Sequence, residues 1–135
     1  MDFYLNPRNC YDRLEQEFRK YGKLLLCVDF DDTLYDFHKV GRTYDDVMAL
    51  LKRWEPYSEV VILTGNGEEK YPMIHNYLNK HGVKFKGINC ESAIPVAGRK
   101  TYANVYLDDR GGLPMVFQHL TELIDKIEKG EVVHE

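Results

Sequence analysis

Short apolar runs alternate with amphipathic stretches along this chain. Residues 24–28 and 60–63 are continuous apolar runs, which are typical of strands covered on both faces. Residues 105–107 predict a shorter strand, and residues 83–88 predict a weaker one. Apolar side chains at helical spacing predict helices before, between and after these strands, over residues 11–21, 47–54, 71–78 and 113–127.

Turn and cap residues punctuate this pattern. Gly22 closes the first helix, and Gly130 stops the last one, which carries Pro114 in its first turn. Thr43 with Asp46 three residues later resembles a capping box at the start of the second helix. Because strands and helices alternate, the sequence predicts an α/β sandwich around a parallel sheet with right-handed crossovers.

Composition narrows the class of protein. The 135 residues suit a single domain, in which residues 1–23 form an N-terminal helical extension. A net charge of −4 argues against a protein that mainly coats nucleic acid or anionic membrane. No apolar run approaches the roughly 18–20 residues that span a bilayer, and no secretory signal follows Met1. Because the three cysteines show no paired spacing, we expect reduced thiols and a cytoplasmic protein.

Polar side chains follow three of the apolar runs at the point where each run ends. Asp29 and Asp31 follow the first run, Thr64 follows the second, and Asp108 and Asp109 follow the last. Ligands of parallel α/β sheets gather at the carboxyl ends of the strands. We therefore expect these side chains to converge on one edge of the sheet.

The spacing of these carboxylates indicates a cation site. Asp29 and Asp31 alone would fit solvated aspartates that cap a helix. With Thr64, Asp108 and Asp109 at the same edge, their mutual repulsion is costly unless a cation relieves it. Carboxylate oxygens suit a hard divalent cation, and Mg²⁺ is expected where phosphate oxygens complete its shell.

At this point the chain resembles a known family. Residues 25–34, with the pattern Asp-Phe-Asp-Asp-Thr, resemble the first motif of the haloacid dehalogenase superfamily of hydrolases. Residues 60–65 resemble its second motif, and residues 105–109 resemble its fourth. The resemblance implies a three-layer α/β/α sandwich with a mainly parallel, Rossmann-like sheet. It also implies a minimal member without a cap domain, because residues 33–43 and 88–100 are too short to hold one.

The resemblance implies a phosphatase mechanism that the residue chemistry also supports. Asp29 would attack phosphorus and form an aspartyl-phosphate, and Asp31 would protonate the leaving oxygen and then activate water. Mg²⁺ would be held by Asp29, the backbone carbonyl of Asp31, and Asp108 with or without Asp109. Because an alkoxide leaving group needs a proton and a halide does not, Asp31 favours phosphate esters over dehalogenation.

Phosphate contacts are also implied by the resemblance. Thr64 would bind a phosphoryl oxygen, helped by amide groups of the turn that begins at Gly65. Thr33 would brace the first loop. The third motif is a lysine, for which Lys100 is favoured over three competing basic residues, namely Arg99, Lys84 and Lys86.

Several alternatives stay open at this level. Arg110 could pair with the acidic residues before it or reach a substrate phosphate, and His38 could touch substrate. The leading hypothesis is a Mg²⁺-dependent phosphatase that hydrolyses a phosphomonoester whose identity the sequence does not reveal. Alternatives are a macromolecular substrate, either a nucleic-acid 3′-phosphate or a phosphoprotein, and a non-catalytic phosphate-binding module.

A membrane partner is not expected, and nucleic acid is not favoured by the acidic balance. A second subunit or the N-terminal helix could complete the open site. A phosphorelay receiver domain would carry its acidic pair first, so the order here argues against one.

Overall fold

A computed structural model describes residues 1–135 and contains one all-parallel sheet of four strands. The strands are β1 (Leu24–Asp29), β2 (Ser58–Leu63), β3 (Gly87–Ile88) and β4 (Val105–Leu107), and their order across the sheet is β3-β2-β1-β4. The helices are α1 (Pro7–Tyr21), α2 (Asp45–Trp54), α3 (Tyr71–Lys80) and α4 (Leu113–Glu128). The α/β class and the parallel sheet are thus confirmed. None of the helices combines the length and the apolar character that crossing a membrane requires.

The most apolar run of the chain forms the central strand. In β1, Leu26 lies opposite Val60 of β2 on one side and Val105 of β4 on the other. All five residues from Leu24 to Val28 are buried. Strand β3 has only two residues and pairs with the end of β2, so the weak prediction over residues 83–88 was longer than the strand that forms.

One core cluster of 27 buried residues joins the sheet to all four helices. Leu24, Leu26 and Val28 belong to it, and since side chains alternate along a strand, they lie on the same face of β1. On that face the Trp54 indole N–H of α2 donates to the Leu120 carbonyl of α4 at 3.1 Å. The helices therefore share one hydrophobic core against one face of the sheet.

The other face of the sheet is covered differently. Leu25, Cys27 and Val61 are buried but lie outside the core cluster. Residues 89–104, which run from β3 to β4 at opposite sides of the sheet, contain neither helix nor strand. A third layer of helices is therefore not confirmed, and neither is the Rossmann-like topology.

Helix ends follow the sequence in most places but not in all. Gly22 ends α1 with φ 71°, a left-handed conformation that glycine adopts without strain, and Pro114 lies in the first turn of α4 as predicted. The prediction of a capping box from Thr43 to Asp46 was wrong. Helix α2 has Tyr44 as its N-cap, and no side chain caps it, because the helix begins one residue too late for the Thr43 hydroxyl.

Candidate active site

Three carboxylates meet at the carboxyl edge of the sheet. Asp29 ends β1, and Asp108 and Asp109 follow β4, which pairs directly with β1 in parallel. One oxygen from each carboxylate lies within 4.8 Å of the other two. The convergence expected from the sequence is therefore present for this trio, because the ends of neighbouring parallel strands lie side by side.

The crowding of carboxylates at this edge increases the proton affinity of Asp29. Burial raises the pKa of Asp29 from 3.8 to about 7, helped by a hydrogen bond with Asp109 and by the charges of Asp108, Asp109 and Asp31. The three side chains offer only oxygen atoms as ligands, and none of them forms a salt bridge with a lysine or arginine. This donor set fits a hard divalent cation such as Mg²⁺.

Thr33 holds two members of the trio together. Its side chain is fully buried, and its hydroxyl lies 3.4 Å from Asp29 Oδ2 and 3.2 Å from Asp109 Oδ1. The same oxygen accepts the Asp109 backbone N–H at 3.1 Å. Because a hydroxyl has one proton, it donates to one carboxylate at a time. This contact matches the bracing role that was expected of Thr33.

Asp31 faces a different set of partners. The Thr64 hydroxyl donates to Asp31 Oδ2 at 3.1 Å, and the Asn66 side-chain amide lies 3.3 and 3.2 Å from its two oxygens. The Asp31 carboxylate is not a member of the trio of possible ligands. Of the four aspartates expected at the cation, Asp31 is thus the one whose side chain is turned towards Thr64 and Asn66, which lie in the turn that follows β2.

Thr64 is buried and held from several directions. Its hydroxyl accepts the Asn66 backbone N–H at 3.1 Å, and the Asn66 side-chain amide lies 2.9 Å from the same oxygen. Its backbone N–H donates to Asn89 Oδ1 at 2.9 Å, and its carbonyl accepts from Asn89 Nδ2 at 2.8 Å. Gly65, which follows, is exposed at the same edge.

The side chains of Asn66 and Asn89 were missed as functional residues by the sequence reasoning. Asn89 directly follows β3, so the rule that singled out the residues after the other strands also applies to it. The apolar run before Asn89 is short and weak, so the end of β3 could not be located from the sequence. Asn66 was recognised only as part of a turn, although its side chain reaches Asp31.

Lys100 lies apart from the carboxylates. Its Nζ is 5.0 Å from the centroid of the Tyr106 ring, and it forms no salt bridge. Tyr106 is the middle residue of β4, and Asp108 follows the end of that strand two residues later. Lys100 therefore lies beside β4, over a residue that is close to Asp108 in the chain, and forms no salt bridge with the trio.

The competing lysines lie at the wrong end of the sheet. Lys84 and Lys86 line a depression with Lys23 and Ser58, which stand at the amino ends of β1 and β2. Lys84 also pairs with Glu55 at 3.1 Å. Of the four basic residues considered for the third motif, only Lys100 and Arg99 remain candidates, since both precede β4 in the loop that crosses the sheet.

The segment between β1 and α2 is a short loop beside the site. The Asp36 carboxylate accepts the backbone N–H of Val40 at 3.3 Å and that of Gly41 at 2.8 Å, which folds the loop back on itself. His38 Nε2 lies 3.2 Å from Asp32 Oδ2. His38 therefore touches the loop next to Asp31, and the loop contains no helix or strand that could form a cap domain.

Arg110 follows the acidic pair directly. Its backbone N–H donates to Asp108 Oδ1 at 2.9 Å, while its side chain forms no salt bridge with the trio. Of the two roles considered for Arg110, pairing with the carboxylates is therefore not realised by the guanidinium group.

Comparison with known proteins adds no assignment to this site. The chain matches no family model, no curated protein and no solved structure. Its chemistry is therefore inferred from its own residues. Two carboxylate environments lie side by side, one a crowded trio around Asp29 and the other a single carboxylate, Asp31, that accepts hydrogen bonds from neutral donors.

Proposed function

We propose that this chain is a Mg²⁺-dependent hydrolase of phosphomonoesters and a minimal, capless member of the haloacid dehalogenase superfamily. The observation that carries the proposal is the division of labour between Asp29 and Asp31. Asp29 lies within the trio that fits a cation, whereas Asp31 is held outside it by Thr64 and Asn66. Two carboxylates in different environments are suited to two different roles.

In this proposal Asp29 is the nucleophile. An oxygen of its ionised carboxylate attacks phosphorus, and the bond between phosphorus and the ester oxygen breaks. The pKa of Asp29 is raised to about 7 without a cation, so near neutral pH part of the population is protonated and unable to attack. Residues that hold a cation beside it therefore also control how much of the nucleophile is active.

Asp31 moves the proton in both steps. As the ester bond breaks, protonated Asp31 gives its proton to the leaving oxygen, and the alcohol departs. The Asp31 carboxylate then takes a proton from water, whose oxygen attacks the phosphorus bound to Asp29 and releases inorganic phosphate. Contacts with Thr64 and Asn66 fix the orientation of the Asp31 carboxylate for both transfers.

The cation would be held by Asp29, the backbone carbonyl of Asp31, and Asp108, with or without Asp109. When bound, Mg²⁺ supplies positive charge that offsets the carboxylates and the phosphoryl oxygens. Thr33 would keep Asp29 and Asp109 in place, as its contacts with both indicate. Thr64 and the amide groups of the turn that begins at Gly65 would bind phosphoryl oxygens, and Lys100, which lies over Tyr106, would approach them from the side of β4.

Hydrolysis of p-nitrophenyl phosphate tests the proposal. Activity is expected with Mg²⁺ and is expected to vanish with a chelator or in Asp29→Asn. The matched control is Asp12→Asn, because Asp12 is an exposed aspartate on α1 whose ion pair is with Arg8 and not with a residue of the site. Robust turnover by Asp29→Asn, or turnover unaffected by the chelator, would refute the mechanism.

Substrate size is tested with the same variants. The edge that carries Asp109 is exposed, so a phosphate on a macromolecule is a second candidate substrate. Phosphorylated metabolites, phosphopeptides and oligonucleotides with a 3′-phosphate would be compared by phosphate release. Saturable binding of phosphate without turnover of any ester would instead favour a non-catalytic phosphate-binding module.

A further inference from the structure

A cleft of about 590 Å³ runs along the outer edge of β4. Helices α1 and α4 form one wall, and the loop that precedes β4 forms the other. Pockets that bind small molecules typically measure about 300–1,000 Å³. The cleft is therefore large enough for a ligand of the size of a metabolite.

The lining of the cleft is mainly apolar. Nine of its fifteen lining residues are hydrophobic, among them Leu14 of α1, Met115 and Val116 of α4, and the aromatic residues Tyr102 and Tyr106. A ligand with an apolar body would remove this surface from water, which is the main source of affinity in such sites.

Two cations without acidic partners also line the cleft. The Arg13 guanidinium group lies 4.3 Å from the Tyr4 ring centroid, Lys100 lies over Tyr106, and neither forms a salt bridge. Glu17 is the only carboxylate among the lining residues, and it already accepts a hydrogen bond from Asn104 at 3.0 Å. The charge of the cleft thus favours an anion.

One end of the cleft borders the candidate active site. Gly111 lines it, and a Cβ atom on Gly111 would lie 3.4 Å from Asp108 Cβ. Tyr106, which also lines the cleft, lies in β4 two residues before Asp108. A ligand that fills the cleft would therefore reach the residues next to the trio.

We propose that the cleft binds the leaving-group part of the substrate, an aromatic or similarly sized apolar body that carries its own anionic group. The apolar body packs against Tyr106 and Met115, and the anionic group pairs with Arg13. This inference rests on the proposed function, since it gives the substrate of that site a chemical class. The cleft would then select the substrate, which is the task that a cap domain would otherwise perform.

Binding is tested apart from catalysis, with 2-naphthoate as the probe. The chain has four methionines, of which Met115 lines the cleft and Met73 is an exposed residue on α3 outside it. With isotope-labelled methionine methyl groups, 2-naphthoate is expected to shift the Met115 resonance saturably and to leave Met73 unchanged. The uncharged 2-naphthol is expected to bind more weakly. An unmoved Met115 resonance would overturn the proposal.

Variants test the role assigned to Arg13. Arg13→Gln is expected to weaken 2-naphthoate binding about tenfold, since a hydrogen bond to a charged group is lost. Lys20→Gln is the matched control, because Lys20 is also a cation of α1 that lies over a tyrosine, 5.2 Å from the Tyr21 ring centroid, but outside the cleft. Ala103→Phe is expected to fill the cleft and block the probe, with thermal melting to confirm that the variant folds. Equal weakening by Arg13→Gln and Lys20→Gln would overturn the assignment of Arg13.

Competition links the cleft to the active site. 2-Naphthoate is expected to inhibit hydrolysis of p-nitrophenyl phosphate competitively in the wild-type chain. Saturable binding at Met115 without competition would show that the ligand lies off the substrate path, and would overturn the leaving-group assignment. Absence of hydrolysis would overturn the proposed function and that assignment with it, whereas saturable binding at Met115 would still support the class of ligand.

Discussion

The side chain of Asn89 binds both backbone polar groups of Thr64. Its Oδ1 accepts the Thr64 N–H at 2.9 Å, and its Nδ2 donates to the Thr64 carbonyl at 2.8 Å. Asn89 makes these bonds from a left-handed conformation with φ 50°. Because the Thr64 hydroxyl donates to Asp31, Asn89 connects the end of β3 to the candidate acid.

Removing this amide is the first prediction. Asn89→Ala is expected to lower the free energy of unfolding by about 1–3 kcal/mol, because polar groups of the buried Thr64 lose their partners. It is also expected to reduce kcat for esters with poor leaving groups, because Thr64, whose hydroxyl donates to Asp31, is then held less firmly. Urea denaturation and steady-state kinetics measure the two effects.

A companion variant separates the amide from the backbone strain. Asn89→Gly tolerates the positive φ but lacks the side chain, so it is expected to lose the same kinetic function with a smaller loss of stability. Wild-type kinetics in both variants would show that Asn89 is not a positioning residue.

The second prediction concerns the role of Asp31. Asp31→Asn keeps the shape of the side chain but cannot donate and accept the proton of the leaving group. Hydrolysis of alkyl phosphates is expected to slow by about a hundredfold or more, whereas p-nitrophenyl phosphate, with its activated leaving group, is expected to lose less in the step that releases the phenol. Burst kinetics isolate that step. Equal losses for both classes of ester would argue against Asp31 as the acid.

The third prediction is the pH dependence of stability without a cation. The folded-state pKa of Asp29, about 7, lies above its ordinary value of 3.8. The contribution of Asp29 to stability is therefore fully present below about pH 4 and is lost as the pH rises through about 7. The free energy of unfolding of Asp29→Asn is compared with that of wild type in the presence of chelator. The difference is expected to shift in favour of Asp29→Asn between about pH 4 and about pH 8.

Urea denaturation at the two pH values measures this effect, with Asp12→Asn as the control. Added Mg²⁺ is expected to raise the melting temperature of the wild type at the higher pH and to have a smaller effect on Asp29→Asn, which has lost one ligand. The third prediction fails if Asp29→Asn and wild type show the same pH dependence in chelator.

The fourth prediction concerns the contact between α1 and α4. The Arg8 guanidinium group donates to both oxygens of Glu122, at 3.0 and 2.7 Å. This pairing lowers the pKa of Glu122 from 4.5 to about 2, so its contribution is present above about pH 4.5 and is lost as the pH falls towards 2. Arg8→Gln is expected to cost up to about 1 kcal/mol near neutral pH, because the pair is partly exposed.

At about pH 3 the cost of Arg8→Gln is expected to be smaller, because part of the pairing is already lost in the wild type. Urea denaturation at both pH values measures it, and Arg13→Gln on the same helix controls for the loss of a cation without a carboxylate partner. A cost that is the same at both pH values would indicate that Arg8 stabilises the fold by packing alone.

Local pattern alone predicted the elements that build the site. The apolar runs at residues 24–28 and 60–63 and at Val105–Leu107 form the strands, because a strand buried in a sheet must be apolar over most of its length. The approach of Asp29 to Asp108 and Asp109 follows from parallel neighbours that end at one edge. These features depend on residues close together in the chain and on one general rule of sheet geometry.

Only the tertiary structure decided how the side chains at that edge are divided. Nothing periodic marks Asn89, since the strand before it has two residues, and its bonds to Thr64 join positions 25 residues apart. The position of Lys100 over Tyr106 depends on a loop without helix or strand, which no local pattern describes. The sequence by itself therefore determined where the carboxylates gather. Contacts between distant segments decided which partners hold each carboxylate, because such contacts depend on the path of the loops and on side-chain rotamers.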